Sequence, residues 1–534
     1  MAAALLPAAA PALERPLTLL SRPAPGVKGQ DAPAFLISNE QRSFTADLLD
    51  REVSGGRALV LSDQRLAAAD TDDSTDIYWL DGRKPRLVSG GTGPVDDDEY
   101  VSVSAISRDG KVVAWESDAD LVPEDADRGY SRDEPSGGTE NRDVYVSRNG
   151  RTVLASRGSN EDENVTFEAM TDDGRVYFST RLALLPEDTD TWHDVYEDSE
   201  AGLRLVTPPH PPGASDDTVL LKDVSADGRV RLFASWERWA PDDVGDGLDY
   251  YVQAGGQLVR ITPNGVGDDF TAPLMSRDGA RFVYSTEVAE TPDDADGSVD
   301  LYEWTRAGLR KLSPGNGPFD LLFPLIENSV SADRTRVILS TGERLTADDR
   351  DDEIDAYLAV GGKTRLLAPS KAAVGAVLAP SGQLALGSDA PLTRDDRDEQ
   401  LDVFVPAGRG LRRICAGPAG GNRDSEPQPW VRPEGATPTD CRFGAFSRDG
   451  SHLLFTTYER LTRDDKDGWG LSAYEHVRGR TTLVRMRGRR STQGAGEYSP
   501  DGRYLYFHTD RPLVREDRES AFDVYRAGPE PKRP

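Results

Sequence analysis

Six stretches of this chain place three carboxylates at one spacing, Asp-x-[Asp/Glu]-x3-Asp. They are Asp70/Asp72/Asp76, Asp188/Asp190/Asp194, Asp294/Asp296/Asp300, Asp349/Asp351/Asp355, Asp396/Asp398/Asp402 and Asp517/Glu519/Asp523. Alternate residues of a tight loop can point carboxylates at one centre. A hard cation such as Ca2+ takes roughly six to eight oxygens, which three carboxylates, backbone carbonyls and water can supply. A structural reading stands beside this one. Asp is a usual residue of hairpin loops, and the final Asp can fix a following strand through backbone amides. Only Gly297 supplies the glycine that sharp Ca2+-binding turns favour. Three further loops are degenerate: one is broken by the insertion Arg128–Arg142, one has Gly245 in the middle, and one has Leu471 at its end.

Other reactive side chains form no recognisable set. His193, His210, His452, His476 and His508 are scattered, with neither an HExxH spacing nor a paired metal spacing. There is no G-x-S-x-G elbow, P-loop or dinucleotide fingerprint. A Ser–His–Asp set assembled in space stays open. Arg478, Arg480, Arg485, Arg487, Arg489 and Arg490 form a basic island, read either as a docking patch for an acidic partner or as a solvated strand and turn. The two cysteines, Cys415 and Cys441, flank a Gly/Pro-rich insertion containing Trp430. They are read as one disulfide pinning that insertion, with two buried thiols as the alternative.

A net charge of −30 argues against nucleic acid and anionic membrane surfaces as partners. No window approaches the roughly 18 consecutive apolar residues of a membrane span. The stretch Met1-Ala-Ala-Ala-Leu-Leu-Pro-Ala-Ala-Ala-Pro-Ala12 resembles the end of a secretory signal peptide, with Ala10-Pro-Ala12 as an A-x-A-like site but no basic n-region. Residues 1–16 are therefore expected to be a signal-peptide remnant or tail. Export to the cell envelope or outside is expected, with the cytoplasm as the alternative.

The acidic loops sit in a repeat. [Ser/Thr]-x-Asp-Gly recurs at Ser107–Gly110, Thr171–Gly174, Ser225–Gly228, Ser276–Gly279, Ser447–Gly450 and Ser499–Gly502. Degenerate copies lie at Ser331-Ala-Asp-Arg334, Pro380-Ser-Gly382 and Val53-Ser-Gly-Gly56. Each is followed by an alternating run such as Arg281-Phe-Val-Tyr-Ser285, which reads as a strand entered through an Asp-Gly turn. After the acidic loop, Asp-Val-Tyr or a variant opens a third strand: Asp76-Ile-Tyr78, Asp143-Val-Tyr145, Asp194-Val-Tyr196, Asp300-Leu-Tyr302, Asp402-Val-Phe404 and Asp523-Val-Tyr525. Leu203-Arg-Leu-Val-Thr207, Leu258-Val-Arg-Ile-Thr262 and Leu309-Arg-Lys-Leu-Ser313 read as a fourth.

Four short strands repeated around the chain predict an all-β fold, a single β-propeller of eight to nine four-stranded blades. Units begin near residues 42, 101, 165, 219, 271, 325, 374, 441 and 493, and the propeller is expected to span 17–534. The last unit lacks a fourth strand after Tyr525, while Leu17-Thr-Leu-Leu-Ser21 reads as a fourth strand without a unit. Pairing the two would close the ring and leave no edge.

These units resemble the WD40-like PD40 repeats of the TolB-type propeller superfamily, over roughly residues 40–534. The resemblance implies the fold and says little about function. It departs from TolB in having no room for an N-terminal α/β domain, so Tol–Pal partnership is not implied. It departs from prolyl oligopeptidases in having no α/β-hydrolase domain after residue 525. The expected function is a non-catalytic exported scaffold, a monomer, binding a protein, peptide or glycan through its loop face and central channel. The alternative is a propeller hydrolase or lyase, which a cluster of pKa-perturbed groups in the channel would favour.

Overall fold

The computed structural model describes residues 16–529 apart from 28–33, 37–52, 55, 72–73, 91–100, 126–141, 159–163, 211–218, 244–246, 264–269, 316, 318–328, 351–353, 369–374, 398–399, 409, 418–440, 458, 464, 466–471, 485–495, 510–511 and 518–520. The expected signal-peptide segment, most of the two insertions and Arg485–Arg490 of the basic island lie outside the described residues.

Nine antiparallel sheets follow one another along the chain as the blades of a propeller. Blade 1 spans 34–87, blade 2 101–154, blade 3 166–205, blade 4 219–260 and blade 5 270–311. Blade 6 spans 330–368, blade 7 375–413, blade 8 442–483 and blade 9 497–527. Among the described residues there is no α-helix. Seven sheets have four strands. In blade 6 the described residues before the second strand contribute a bridge between Val330 and Val337. In blade 1 the first strand comes in two pieces, Ala34–Leu36 and Val53–Ser54, both paired with Arg57–Ser62.

The Ser-x-Asp-Gly signature is explained by its turn. In blade 2 the Gly110 amide bonds the Ser107 carbonyl at 2.8 Å. The Ser107 hydroxyl donates to Asp109 at 3.0 Å and accepts the Val112 amide at 2.9 Å. Gly110 has φ +65°, a left-handed conformation that L side chains rarely adopt. The second residue of the signature links blades: Arg108 N–H bonds Asp172 O, Asp172 N–H bonds Ala226 O, and Ala226 N–H bonds Arg277 O, at 2.8 to 3.0 Å.

The core lies between blades rather than within them. One cluster joins Trp79 of blade 1 to Trp115 and Tyr145 of blade 2, and equivalents recur at other seams. The last seam packs Tyr506 and Val524 of blade 9 on Ala58 and Tyr78 of blade 1. The ring is closed as expected. Leu17–Leu19 pairs antiparallel with Asp523–Ala527, setting Leu17 opposite Ala527 and Leu19 opposite Tyr525. The side chains agree with the pairing. In other blades a Ser or Thr after the fourth strand donates to the Asp that opens the third, as Thr262 does to Asp249 at 2.8 Å and Ser313 to Asp300 at 2.5 Å. Ser21 does the same for Asp523, 502 residues away, and its oxygen accepts the Val524 amide at 3.1 Å.

Candidate functional site

In a four-stranded meander the first and third connections lie at one end and the second at the other. The propeller therefore has an acidic-loop face and a Ser-x-Asp-Gly face.

On the acidic face the carboxylates are engaged within the fold. The Tyr hydroxyl of the third strand donates to the first Asp of the loop: Tyr78 to Asp70, Tyr145 to Asp125, Tyr196 to Asp188, Tyr251 to Asp243, Tyr302 to Asp294, Tyr357 to Asp349, Tyr474 to Asp465 and Tyr525 to Asp517. The same hydroxyl accepts an amide of the loop, as from Leu461 at 3.0 Å. Burial and the neighbouring carboxylate push these phenols above their ordinary range, so they stay donors at any physiological pH. The Tyr145–Asp125 bond spans the blade 2 insertion. In blade 8 the loop is one residue longer, nine residues from Asp465 to Tyr474 instead of eight. Register consequently puts Ser472, not Leu471, at the position of the last Asp.

Three blades carry their own cation between the first and last Asp. Lys311 Nζ lies 3.4 Å from Asp294 and 2.7 Å from Asp300. Arg413 lies 3.3 Å from Asp396 and 2.9 Å from Asp402, and Arg260 lies 3.3 Å from both Asp243 and Asp249. All three hold the same place on the fourth strand, two residues before its Ser, Cys or Thr. Burial pushes Asp300 up to about 6 despite its lysine. Asp72, Asp351, Asp398 and Glu519, the middle acids of four loops, lie outside the described residues.

In blade 6, Asp355 is the first residue of the third strand, opposite Thr341, and is only 1% exposed. Asp300 holds the same place in blade 5, opposite Thr286. Asp349, the first acid of the blade 6 loop, accepts the Tyr357 hydroxyl.

Blade 3 has Leu205 at the cation position, and a histidine approaches its loop instead. Ligand atoms of Asp190, Asp194 and His210 lie within 4.8 Å of one another. His210 Nδ1 is 2.9 Å from both oxygens of the buried Glu237, and Trp192 packs its edge on the ring at 4.9 Å. Burial pushes Asp194 up to about 6. His210 comes from a different connection than Asp194, which no sequence spacing signals. The cluster of Asp402 with Cys415 and Cys441 is of another kind. The two cysteines form a disulfide, Cα–Cα 6.4 Å, so neither offers a thiolate. Cys415 takes the Ser/Thr position of blade 7, and its sulfur accepts the Val403 amide at 3.3 Å.

The Ser-x-Asp-Gly face carries arginine clamps. Glu197 of blade 3 accepts from Arg204 at 2.7 Å, Arg231 at 3.3 Å and the Tyr177 hydroxyl at 2.5 Å. Glu303 of blade 5 is held by Arg281 and Arg310. Asp198, fully buried, is held by Arg148 of blade 2 at 2.6 Å and by Arg157. Blade 6 keeps the arginines without the acid. Arg365 lies opposite Leu358 in the register where Arg310 lies opposite Glu303. Arg336 lies opposite Val360, as Arg281 lies opposite Thr305.

Beside these arginines is a cavity of about 380 Å3 shared by blades 6, 7 and 8. Arg336, Arg365 and Arg478 border it, Leu384, Val405, Pro406, Phe446 and Leu453 give it apolar walls, and none of its lining residues is acidic. His476 also faces it, held neutral by burial and by nearby Arg412, which lower its pKa to about 4.

A third group lies along the inner strands. Glu168, on the first strand of blade 3, is pushed up to about 7 by burial and accepts the Ser179 hydroxyl at 2.7 Å. Burial also raises Glu116 and lowers Lys222.

No family model matches this sequence, and no curated protein does. Several solved structures are similar. The β-propeller domain of the Trilobed protease from Pyrococcus furiosus is 10% identical over 73% of this chain and 96% of its own, with a TM-score of 0.31. An oligogalacturonate lyase in complex with manganese is 12% identical over 98% of each chain, TM-score 0.35. TolB from Acinetobacter baumannii is 13% identical over 64% of this chain and 76% of its own, TM-score 0.26. Likenesses this distant carry no argument about what the present chain binds or does. No helix among the described residues is long and apolar enough to cross a membrane.

Proposed function

We propose that residues 17–534 form an exported, monomeric, non-catalytic propeller of the PD40 type that binds a protein, peptide or glycan on its Ser-x-Asp-Gly face. The observation that carries this reading is the cavity shared by blades 6, 7 and 8. It is built from turns of a rigid ring, the usual place for grafted recognition. Arrays of peptides and oligosaccharides probed with the full chain test it. The expected result is retention of a ligand that is recovered unaltered and is lost with R336A/R365A. A ligand recovered cleaved, or no retention on either array, overturns the reading.

A second reading, a hydrolase or lyase, draws on Glu168. A carboxyl that titrates near neutrality on an innermost strand suits general acid–base work. Ligand turnover abolished by E168Q, with unchanged ligand affinity, would establish it in place of the first.

Calcium remains a separate proposal for the acidic face, narrowed to blades 1, 3, 6 and 9. Their loops have no lysine or arginine at the fourth-strand position, which Leu87, Leu205, Leu366 and Leu19 occupy. Unchanged thermal stability when EDTA is added to calcium-loaded protein overturns it.

A further inference from the structure

The clamps of blades 3 and 5 indicate what the blade 6 arginines are shaped to hold. In blade 5, Arg281 and Arg310 come from the second and fourth strands and converge on the carboxylate of Glu303, on the strand between them. In blade 3, Arg204 stands opposite Glu197 in the same register. Blade 6 repeats both arginines at the same register, and the strand between them offers Leu358, which is buried. Arg336 spends one nitrogen on the Gly382 carbonyl of blade 7 at 3.0 Å. Among the described residues, no carboxylate forms an ion pair with Arg336, Arg365 or Arg478. Guanidinium pairs on one side of a cavity match a carboxylate in geometry as well as charge.

The rest of the wall restricts what carries that carboxylate. The hydroxyls at the cavity are already committed: Ser381 donates to Gln383, and Ser451 donates to Asp449 at 2.7 Å. An acidic side chain flanked by an apolar residue would find arginines for one and the walls of Leu384, Pro406 and Phe446 for the other.

We infer that the cavity between blades 6 and 8 is a vacant carboxylate clamp that binds a Glu or Asp side chain of an extended acidic peptide next to an apolar residue. This rests on the reading of the propeller as a binding scaffold and names the group it recognises.

The test uses the full chain and two immobilised peptide libraries, one with a central Glu and one with Gln in its place, each with randomised apolar flanks. An oligomer of a uronic acid serves as competitor. The expected result is at least tenfold stronger retention on the Glu library. R365A, at an exposed position, should reduce it at least tenfold, and L358E, which supplies an internal carboxylate to the clamp, should abolish it with the melting temperature of R365A unchanged. Equal retention on Glu and Gln libraries overturns the inference. So does retention that survives R365A. Binding of the uronic acid oligomer without either peptide library overturns the peptide assignment and leaves the scaffold reading intact. Failure of every probe at this cavity, with a ligand retained elsewhere on the ring, overturns the inference alone.

Discussion

Blades 3 and 5, in one arc of the ring, and blades 6 and 7, in the next, place an arginine at the same fourth-strand position on the same face, and answer it differently. In the first arc Glu197, Asp198 and Glu303 fill the clamps. In the second, Leu358 stands opposite Arg365 and Val405 opposite Arg412, where the first arc has a carboxylate, and a cavity opens. A repeat protein places the same side chain at the same point in every unit unless selection changes it, so the departures are more informative than the repeat. Glu197 and Asp198 of blade 3 draw in Arg231 of blade 4 and Arg148 of blade 2, whereas Arg336 and Arg412 reach the Gly382 and Gly479 carbonyls of the next blade.

The sharpest way to break the first arc is Asp198→Asn. It strips a fully buried carboxylate from two arginines and should cost about 3–5 kcal/mol, the usual penalty for removing one partner of a buried pair. Equilibrium denaturation measures it. In the second arc, where the blade 6 and 7 arginines face no acid, the disulfide adds to the apolar packing of the blade 7–8 seam. Its 26-residue separation corresponds to about 3.5 kcal/mol of loop entropy, so Cys415→Ser should lower stability by roughly that amount, read in the same assay. Glu303→Leu makes blade 5 imitate blade 6. It should cost about 2 kcal/mol, less than Asp198→Asn because Arg281 and Arg310 are partly solvated, and should add a second site for the Glu library. If the variant gains no binding, the two arcs differ by more than their carboxylates.

The last effect, which appears only as a slope with pH, concerns Glu168, which lies in the first arc and has no arginine clamp among the described residues. Its folded pKa of about 7 lies above its ordinary value of 4.5. The folded state therefore binds more protons than the unfolded state between those values. Stability should fall as pH rises from about 4.5 to 7 and level off above, by on the order of 3 kcal/mol. Glu168→Gln should remove that slope in pH-dependent thermal unfolding, and an unchanged slope would assign it to another group.

The fold was legible because its signals are local. An Asp-Gly turn, an alternating run and an Asp-x-Tyr opening each lie within a few residues, and repetition supplied the rest. The orphan strand at Leu17–Ser21 was legible for the same reason, since its Leu-x-Leu-Leu-Ser pattern matches other fourth strands. The number of blades was less so. The turn signature is degenerate in blades 1 and 6, at Val53-Ser-Gly-Gly56 and Ser331-Ala-Asp-Arg334, so neither carries it in full.

The acidic loops were visible and ambiguous. The spacing of eight residues from Asp70 to Tyr78 was on the page, but reading it as a hydroxyl–carboxylate bond requires knowing that the loop folds back over the third strand. Asp355 and Asp300 both match the triad spacing, and spacing alone does not reveal that each is buried at the base of a strand. Lys311 and Arg260 sit inside the fourth-strand pattern, and their reach to the loop depends on register. The clamps were least legible. Arg310 and Glu303 are opposite because of strand pairing, and Leu358 means something only as the residue that replaces a carboxylate in an otherwise repeated frame. His210 and Asp194 meet through two connections that no motif ties together.

The bond between Ser21 and Asp523 also sets an order in time. A strand made among the first twenty residues has no partner until the chain has grown past residue 523. Until then the ring is an open arc, and blades can form one after another without the molecule being complete. For a chain exported as proposed, an architecture that locks only on its final strand keeps the lock out of the way until the passage is over.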